Sequence, residues 1–398
     1  MNFLKRKLKN GMTVIMEQRE LPVVALSISN RFGAGVEKSG IKGIAHVIEH
    51  LVFTGTKTRT HEDISREIEK RGGILNAFTA HEVTSFWFKL PTEYLFIGLD
   101  ILNDILNNPI FKEDKFEKEK KVILEEIKMY HDNPQRYVYD LMERNLYDKP
   151  FGESVIGSKE TVSSLQRDFV LDYFKRNYNP ANFIATIVGN ANFEKVCDYL
   201  EKNFSEKKSK IEKIEIKKKN VETIEEREGI DQAHFLFGTH APLMIEKDYA
   251  ALEILNAYLA DGMSSKLFLK IREEKGLAYA VRGSINAENN YSYYTIYVGT
   301  TKEAIPEVKK IILEEFNNIK ELSEKEIEET KQQLIGLRKI STEESANVMN
   351  ELLLNELAGK AEDYYEHEKK INTVTLEQVK KLALELVKKY SIATIVPK

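Results

Sequence analysis

The chain has 398 residues, 42% hydrophobic and 31% charged, which excludes global disorder and is too long for one average core, so two domains are expected. A net charge of −4, from 59 basic and 63 acidic residues, gives no reason to expect nucleic acid as a partner. The single cysteine, Cys197, excludes an intrachain disulfide and a cysteine-built metal cage.

The basic N-terminus has no apolar run of the signal-peptide kind. No stretch approaches the roughly 20 apolar residues of a membrane span. The expected location is therefore the cytoplasm, with no membrane partner.

In chain order, the first half reads as a strand at 23–29, an apolar helix at 44–53, a strand at 83–90, a helix at 93–106 and a charged helix at 115–130. The second half repeats this order with a strand at 233–239, a helix at 249–259, a strand at 291–298 and helices at 302–316 and 324–340. Most counterparts stand about 210 residues apart, the mark of an internal repeat. The expected fold class is α+β: two similar duplicated domains, each a mixed, mostly antiparallel sheet with helices packed on one face. The domains are placed at 1–206 and 229–398. The Lys- and Glu-rich stretch 207–228 reads as a solvated linker with a short edge strand at 214–216.

The helix at 44–53 carries His46-Val47-Ile48-Glu49-His50 within an otherwise apolar segment. Polar groups on a buried helix are costly unless partnered. His46 and His50 are four residues apart, so they share a face and reach one ion. Glu49 flanks that face and is placed to take the proton of an activated water. Core histidines in a hydrogen-bond network are the other reading of this trio.

A catalytic zinc takes three protein ligands and keeps one position open. The charged helix offers the third. Phe116, Ile123, Ile127 and Tyr130 form its apolar stripe, and Glu119, Val122, Glu126 and Met129 form the adjoining row. Glu125 instead neighbours Lys118, Lys121 and Lys128 on a solvated face. Glu126 is therefore the expected third ligand. Glu119, two turns away on the same face, is expected to support the site by hydrogen bonding to a ligand.

With these residues in place, the chain resembles the pitrilysin and insulin-degrading-enzyme family of inverted-motif zinc peptidases, whose short two-domain branch includes mitochondrial processing peptidase. The resemblance spans nearly the whole chain. It includes Phe32-Gly33-Ala34-Gly35 before the motif, Phe53-Thr54-Gly55-Thr56 after it, the segment from Gly72 to Thr79, and Arg272 to Tyr279.

The resemblance implies one zinc per chain on His46, His50 and Glu126, with Glu49 as general base. It implies that Asn76, Ala77 and Thr79 hold substrate backbone at a sheet edge, and that Arg272 and Tyr279 bind substrate and stabilise the oxyanion. The other, lesser reading of Asn76 is a residue that shapes a turn. Ala80 and His81 depart from the residues common there, and a surface role is expected for His81. The second half has no histidine motif, and Gly336 stands where Glu126 repeats, so no metal is expected there.

The implied function is a zinc metalloendopeptidase for peptides or unfolded segments. It is expected as a homodimer, or a heterodimer with a paralogous subunit, with Arg272 and Tyr279 acting in cis or in trans. Two other classes remain: a non-catalytic peptide-binding or partner subunit, and a metal-stabilised structural protein.

Overall fold

A computed structural model describes residues 3–205 and 214–398. The expected boundary of the first domain at 206, and the first residues of the linker, lie outside the described residues.

The strands and helices of the first half are β1 (Phe3–Lys7), β2 (Thr13–Gln18), β3 (Val23–Asn30), α1 (Ile44–Val52), α2 (His61–Glu69), β4 (Ile74–Thr79), β5 (Thr84–Pro91), α3 (Leu95–Asn107), α4 (Glu113–Asp132), α5 (Pro134–Leu146), α6 (Lys159–Ser164), α7 (Arg167–Asn177), β6 (Phe183–Gly189) and α8 (Phe193–Asn203). Those of the second half are β7 (Glu222–Arg227), β8 (Ala233–His240), α9 (Tyr249–Ala260), a π-helical segment (Phe268–Glu274), β9 (Ala278–Ala287), β10 (Ser292–Thr300), α10 (Ile305–Asn318), α11 (Glu324–Ser341), α12 (Ser345–Ala358), α13 (His367–Thr373), α14 (Leu376–Leu386) and β11 (Ser391–Pro397).

The first sheet runs β1-β2-β6-β3-β5-β4 and the second β7-β11-β8-β10-β9. Setting β1 aside, the two orders are the same. In each, one parallel pair (β2 with β6, β7 with β11) precedes three antiparallel ones. The duplicated α+β architecture is thus visible in topology as well as in spacing.

Two compact units emerge from the contacts, and neither is continuous in sequence. One gathers Met1–Lys128, Glu153–Glu215 and Thr342–Leu357; the other gathers Met129–Gly152, Ile216–Ser341 and Ala358–Lys398. Helix α5 therefore counts with the second unit and most of α12 with the first.

In the first unit, alternate residues of the central strands face one side. Val24, Leu26 and Ile28 of β3 and Phe86, Phe88 and Leu90 of β5 join Ile44, Val47, Ile48 and Leu51 of α1 and Leu99 and Leu102 of α3 in one core. The intervening Ser29 and Ser85 bond each other at 2.8 Å. In the second unit, Phe235, Phe237, Ile296 and Val298 face α9 and α10. The opposite face, with Leu236, Tyr293, Tyr297 and Ala393, is covered by Val138, Met142 and Leu146 of α5. Helices thus cover a second face as well as the expected one.

One expectation is corrected. Residues 214–216 form no strand; the strand of that region is β7, paired parallel to β11. Its exposure alternates the wrong way for sequence patterning. Ile224 is 71% exposed, whereas Thr223 points inward, its hydroxyl donating to Asn145 at 2.9 Å. Backbone pairing, not an apolar face, makes it a strand.

Candidate metal centre and active site

Helix α1 begins at Gly43, whose φ of 93° is the left-handed conformation that glycine adopts without strain. A Cβ there would lie 2.7 Å from the Ile156 carbonyl oxygen. The helix N-terminus is closed by a buried carboxylate. Glu37 accepts from the N–H of Gly43 at 2.8 Å and of Ala45 at 2.7 Å. Burial pushes Glu37 up to about 7 against the pull of Lys42 and those two donors. Sequence reasoning missed this cap, which lies in a loop with no periodic signal. Upstream, Gly33 passes so close to the 80–83 loop that a Cβ would meet the Ala80 oxygen at 2.3 Å. Gly33 and Gly35 both allow that approach, a Cβ on Gly35 lying 2.8 Å from the His81 oxygen. His81 on this loop is 3% exposed, so its expected surface role is corrected. Its carbonyl accepts from Gly35 N–H at 2.7 Å.

Around α1 every apolar residue from Ile44 to Val52 is buried, as is His46, while Glu49 and His50 are half-buried. The structure brings His46, His50 and Glu126 together, one ligand atom from each within 4.8 Å of the others. The Glu126 Oε2 lies 3.4 Å from His50 Nε2 and 3.7 Å from His46 Nε2. Among the described residues, no other group of this kind occurs. Behind His50, Glu119 Oε2 stands 3.4 Å from Nδ1. On α4, Glu125 is exposed, as the periodicity predicts. Val122 and Met129, in the row of Glu126, are also exposed, so that row faces away from the core.

The donor set fits zinc. Tetrahedral ligands about 2.1 Å from the ion stand about 3.4 Å apart, close to the spacings from Glu126 to the two imidazoles. His46 Nδ1 is buried without a partner, so the burial of this ring is compensated only on its Nε2 side.

Charge in the cluster is uneven. Burial and the neighbouring His50 pull His46 down to about 4. Burial lowers His50 too, but hydrogen bonds with Glu119 and Glu126 outweigh it and raise His50 to about 9. Burial raises Glu49 above the ordinary carboxylate range, although its bond from Thr79 opposes this. That bond, Thr79 Oγ1 donating to Glu49 Oε2 at 2.5 Å, was not foreseen.

An open cleft of about 580 Å³ adjoins the cluster, lined by Glu49, His50, Glu119, Asn76 and Ala77 among others. Asn76 sits in β4, not in a turn, and its Oδ1 accepts from Ala77 N–H at 2.8 Å. Strand β4 ends its sheet, with β5 on one side and no strand on the other among the described residues.

Arg272 and Tyr279 belong to the second unit. Arg272, on the π-helical segment, lies over the Phe268 ring at 4.8 Å and 3.6 Å from Glu273. Tyr279 is the second residue of β9 and is 46% exposed. Its hydroxyl is 3.3 Å from that of Tyr297, which in turn lies 2.8 Å from His234 Nδ1. Gly299 makes room for it: a Cβ there would meet the Tyr279 ring at 2.4 Å.

Comparison with known proteins adds the family. Residues 13–159 match the family described as Insulinase (Peptidase family M16), and residues 164–334 match the one described as Peptidase M16 inactive domain. The protein named uncharacterized zinc protease YmxG, from Bacillus subtilis, is 32% identical over 98% of this chain and 97% of its own length. The chain belongs to the M16 peptidase family. The resemblance read from its motifs is borne out. A protease from Helicobacter pylori has the same fold, with a TM-score of 0.92 at 21% identity over 100% of this chain and 99% of that one. A structure described as a peptidase M16 inactive domain, from Pseudomonas fluorescens, matches at 0.90 with 16% identity over 100% and 98%. No helix among the described residues is long and apolar enough to cross a membrane.

Proposed function

We propose that this M16 chain is a zinc metalloendopeptidase that hydrolyses internal bonds of peptides or unfolded segments. The observation that carries the reading is the convergence of His46, His50 and Glu126 beside Glu49, at the edge of a cleft lined by β4.

His46, His50 and Glu126 hold one zinc per chain. The chemistry supplied by bound zinc is Lewis acidity: it lowers the pKa of a water to about 7 and polarises a carbonyl. Glu119 orients the His50 ring through Nδ1. Glu49 accepts the proton of the attacking water and returns it to the leaving amine. Its raised affinity for protons suits both steps, and the Thr79 hydroxyl fixes its orientation.

Substrate main chain pairs with the open edge of β4 along Asn76, Ala77 and Thr79, which binds with little sequence preference. Arg272 and Tyr279 supply donors for substrate and oxyanion, from the same chain or a partner copy. The active form is a homodimer, or a heterodimer with a paralogous subunit, in the cytoplasm. A non-catalytic partner subunit would leave the basicity of Glu49 without use. The test is cleavage of an unstructured peptide by purified protein, abolished by a chelator and restored by zinc. Inactivity in the zinc-loaded protein, alone and with any paralogue, sinks the reading.

A further inference from the structure

Strict alternation along β9 would put Tyr279 on the face of Val281, which belongs to the core with Ile296 and Val298. The register against β10 shifts instead. Ala280 pairs with Gly299 and Ala278 with Thr300, so Tyr279 is the extra residue of a bulge. The bulge turns its ring to the other face, where Gly299 leaves room and Tyr297 lies beside it.

Tyr297 and His234 are buried on that face, and Tyr139 of α5 stacks on Tyr297 with ring centroids 6.2 Å apart. A buried phenol and a buried imidazole need partners, and these two bond each other at 2.8 Å. A phenol both donates and accepts, so Tyr297 has a further bond to make. The Tyr279 hydroxyl, 3.3 Å away at the exposed end, takes it.

The direction of this chain decides what it can do. Burial and the charge of Arg227 lower the pKa of His234, so its ring is neutral and carries one N–H. With that hydrogen on Nδ1, His234 donates to Tyr297, Tyr297 donates to Tyr279, and the Tyr279 proton points outward. With it on Nε2, both bonds reverse and the Tyr279 proton is spent on Tyr297. Only the first order leaves a donor for a developing oxyanion, and aligned hydrogen bonds polarise one another toward the charge. We infer that Tyr297 and His234, the latter protonated on Nδ1, are positioning residues that hold the Tyr279 hydroxyl as an outward donor. They act through Tyr279 and do not touch substrate themselves. This inference rests on the peptidase reading of the chain.

The test uses full-length zinc-loaded protein, cleavage of a quenched fluorescent peptide, and nitrogen-15 NMR of histidine-labelled protein. Tyr279→Phe is expected to lower kcat about 100-fold, as losing one oxyanion donor does, and Tyr297→Phe about tenfold, each with KM nearly unchanged. Added to Tyr279→Phe, Tyr297→Phe lowers kcat no further, because the group it positions is already gone. Losses that multiply, or an unchanged kcat in Tyr297→Phe, overturn the inference. The NMR needs no variant of Tyr297: a His234 ring protonated on Nδ1 sustains the inference, and one protonated on Nε2 overturns it. If wild type does not cut the peptide, the peptidase reading fails, and the tautomer alone decides the hydrogen-bond chain.

Discussion

Glu119 stands behind His50, its Oε2 3.4 Å from Nδ1, while the opposite nitrogen of the same ring faces Glu126 at 3.4 Å. One carboxylate therefore fixes which nitrogen of His50 is presented to the cluster. Replacing Glu119 with Ala is expected to weaken zinc binding by about 10- to 100-fold without unfolding the chain. Competition against a chromogenic chelator reads this directly, and an unchanged affinity would remove Glu119 from the site.

The pH dependence follows from His50. In the metal-free fold its pKa rises from the ordinary 6.5 to about 9. Its contribution to the stability of that fold is full below pH 6.5 and is lost as pH rises through about 9. Zinc must displace this proton, whereas His46, near 4, is already neutral. Binding near pH 7.5 should thus release about one proton, and zinc affinity should rise with pH up to about 9. Calorimetry in buffers of differing ionisation enthalpy measures the proton. A heat independent of buffer contradicts the assignment.

Adjacent glutamates give a sharp contrast. Glu126 faces both histidines, and Glu125 is exposed. Glu126→Gln should abolish stoichiometric zinc, and Glu125→Gln should retain it. Metal content by mass spectrometry separates them, and equal loss in both would relocate the third ligand.

Glu37 is the stability counterpart of these site predictions. It satisfies two N–H groups at the start of the helix that bears the motif. Glu37→Ala leaves both buried donors without that acceptor and should cost about 2–4 kcal/mol, seen as a lower urea midpoint. A midpoint within error of wild type would mean that water replaces the carboxylate.

The motif helix was legible because His46, Glu49 and His50 interrupt an otherwise apolar segment, a conflict that only a shared partner resolves. Glu126 was chosen over Glu125 from their neighbours at three and four residues, but Val122 and Met129, in the row of Glu126, are exposed, so the periodicity did not place that row against the core. Other features had no local signal. Strand β6 is buried throughout, and a continuous apolar run does not distinguish strand from helix. In β7 the apolar Ile224 points outward, so the alternation misleads. Val138, Leu141 and Met142 of α5 are spaced as a helix, but their partners Leu236 and Ala393 are set by sheet pairing far along the chain. Thr79 reaches Glu49 only because β4 passes α1 in the fold, which no spacing reveals.

The central claim is that Glu49 works as the base beside a zinc held by its neighbours. It is tested most directly by cleavage of a quenched fluorescent peptide by wild type and Glu49→Gln, with metal content measured on both. The account predicts cleavage by wild type and a loss of several orders of magnitude in Glu49→Gln, with one zinc retained per chain. Equal cleavage by both, or no zinc in either, would contradict it.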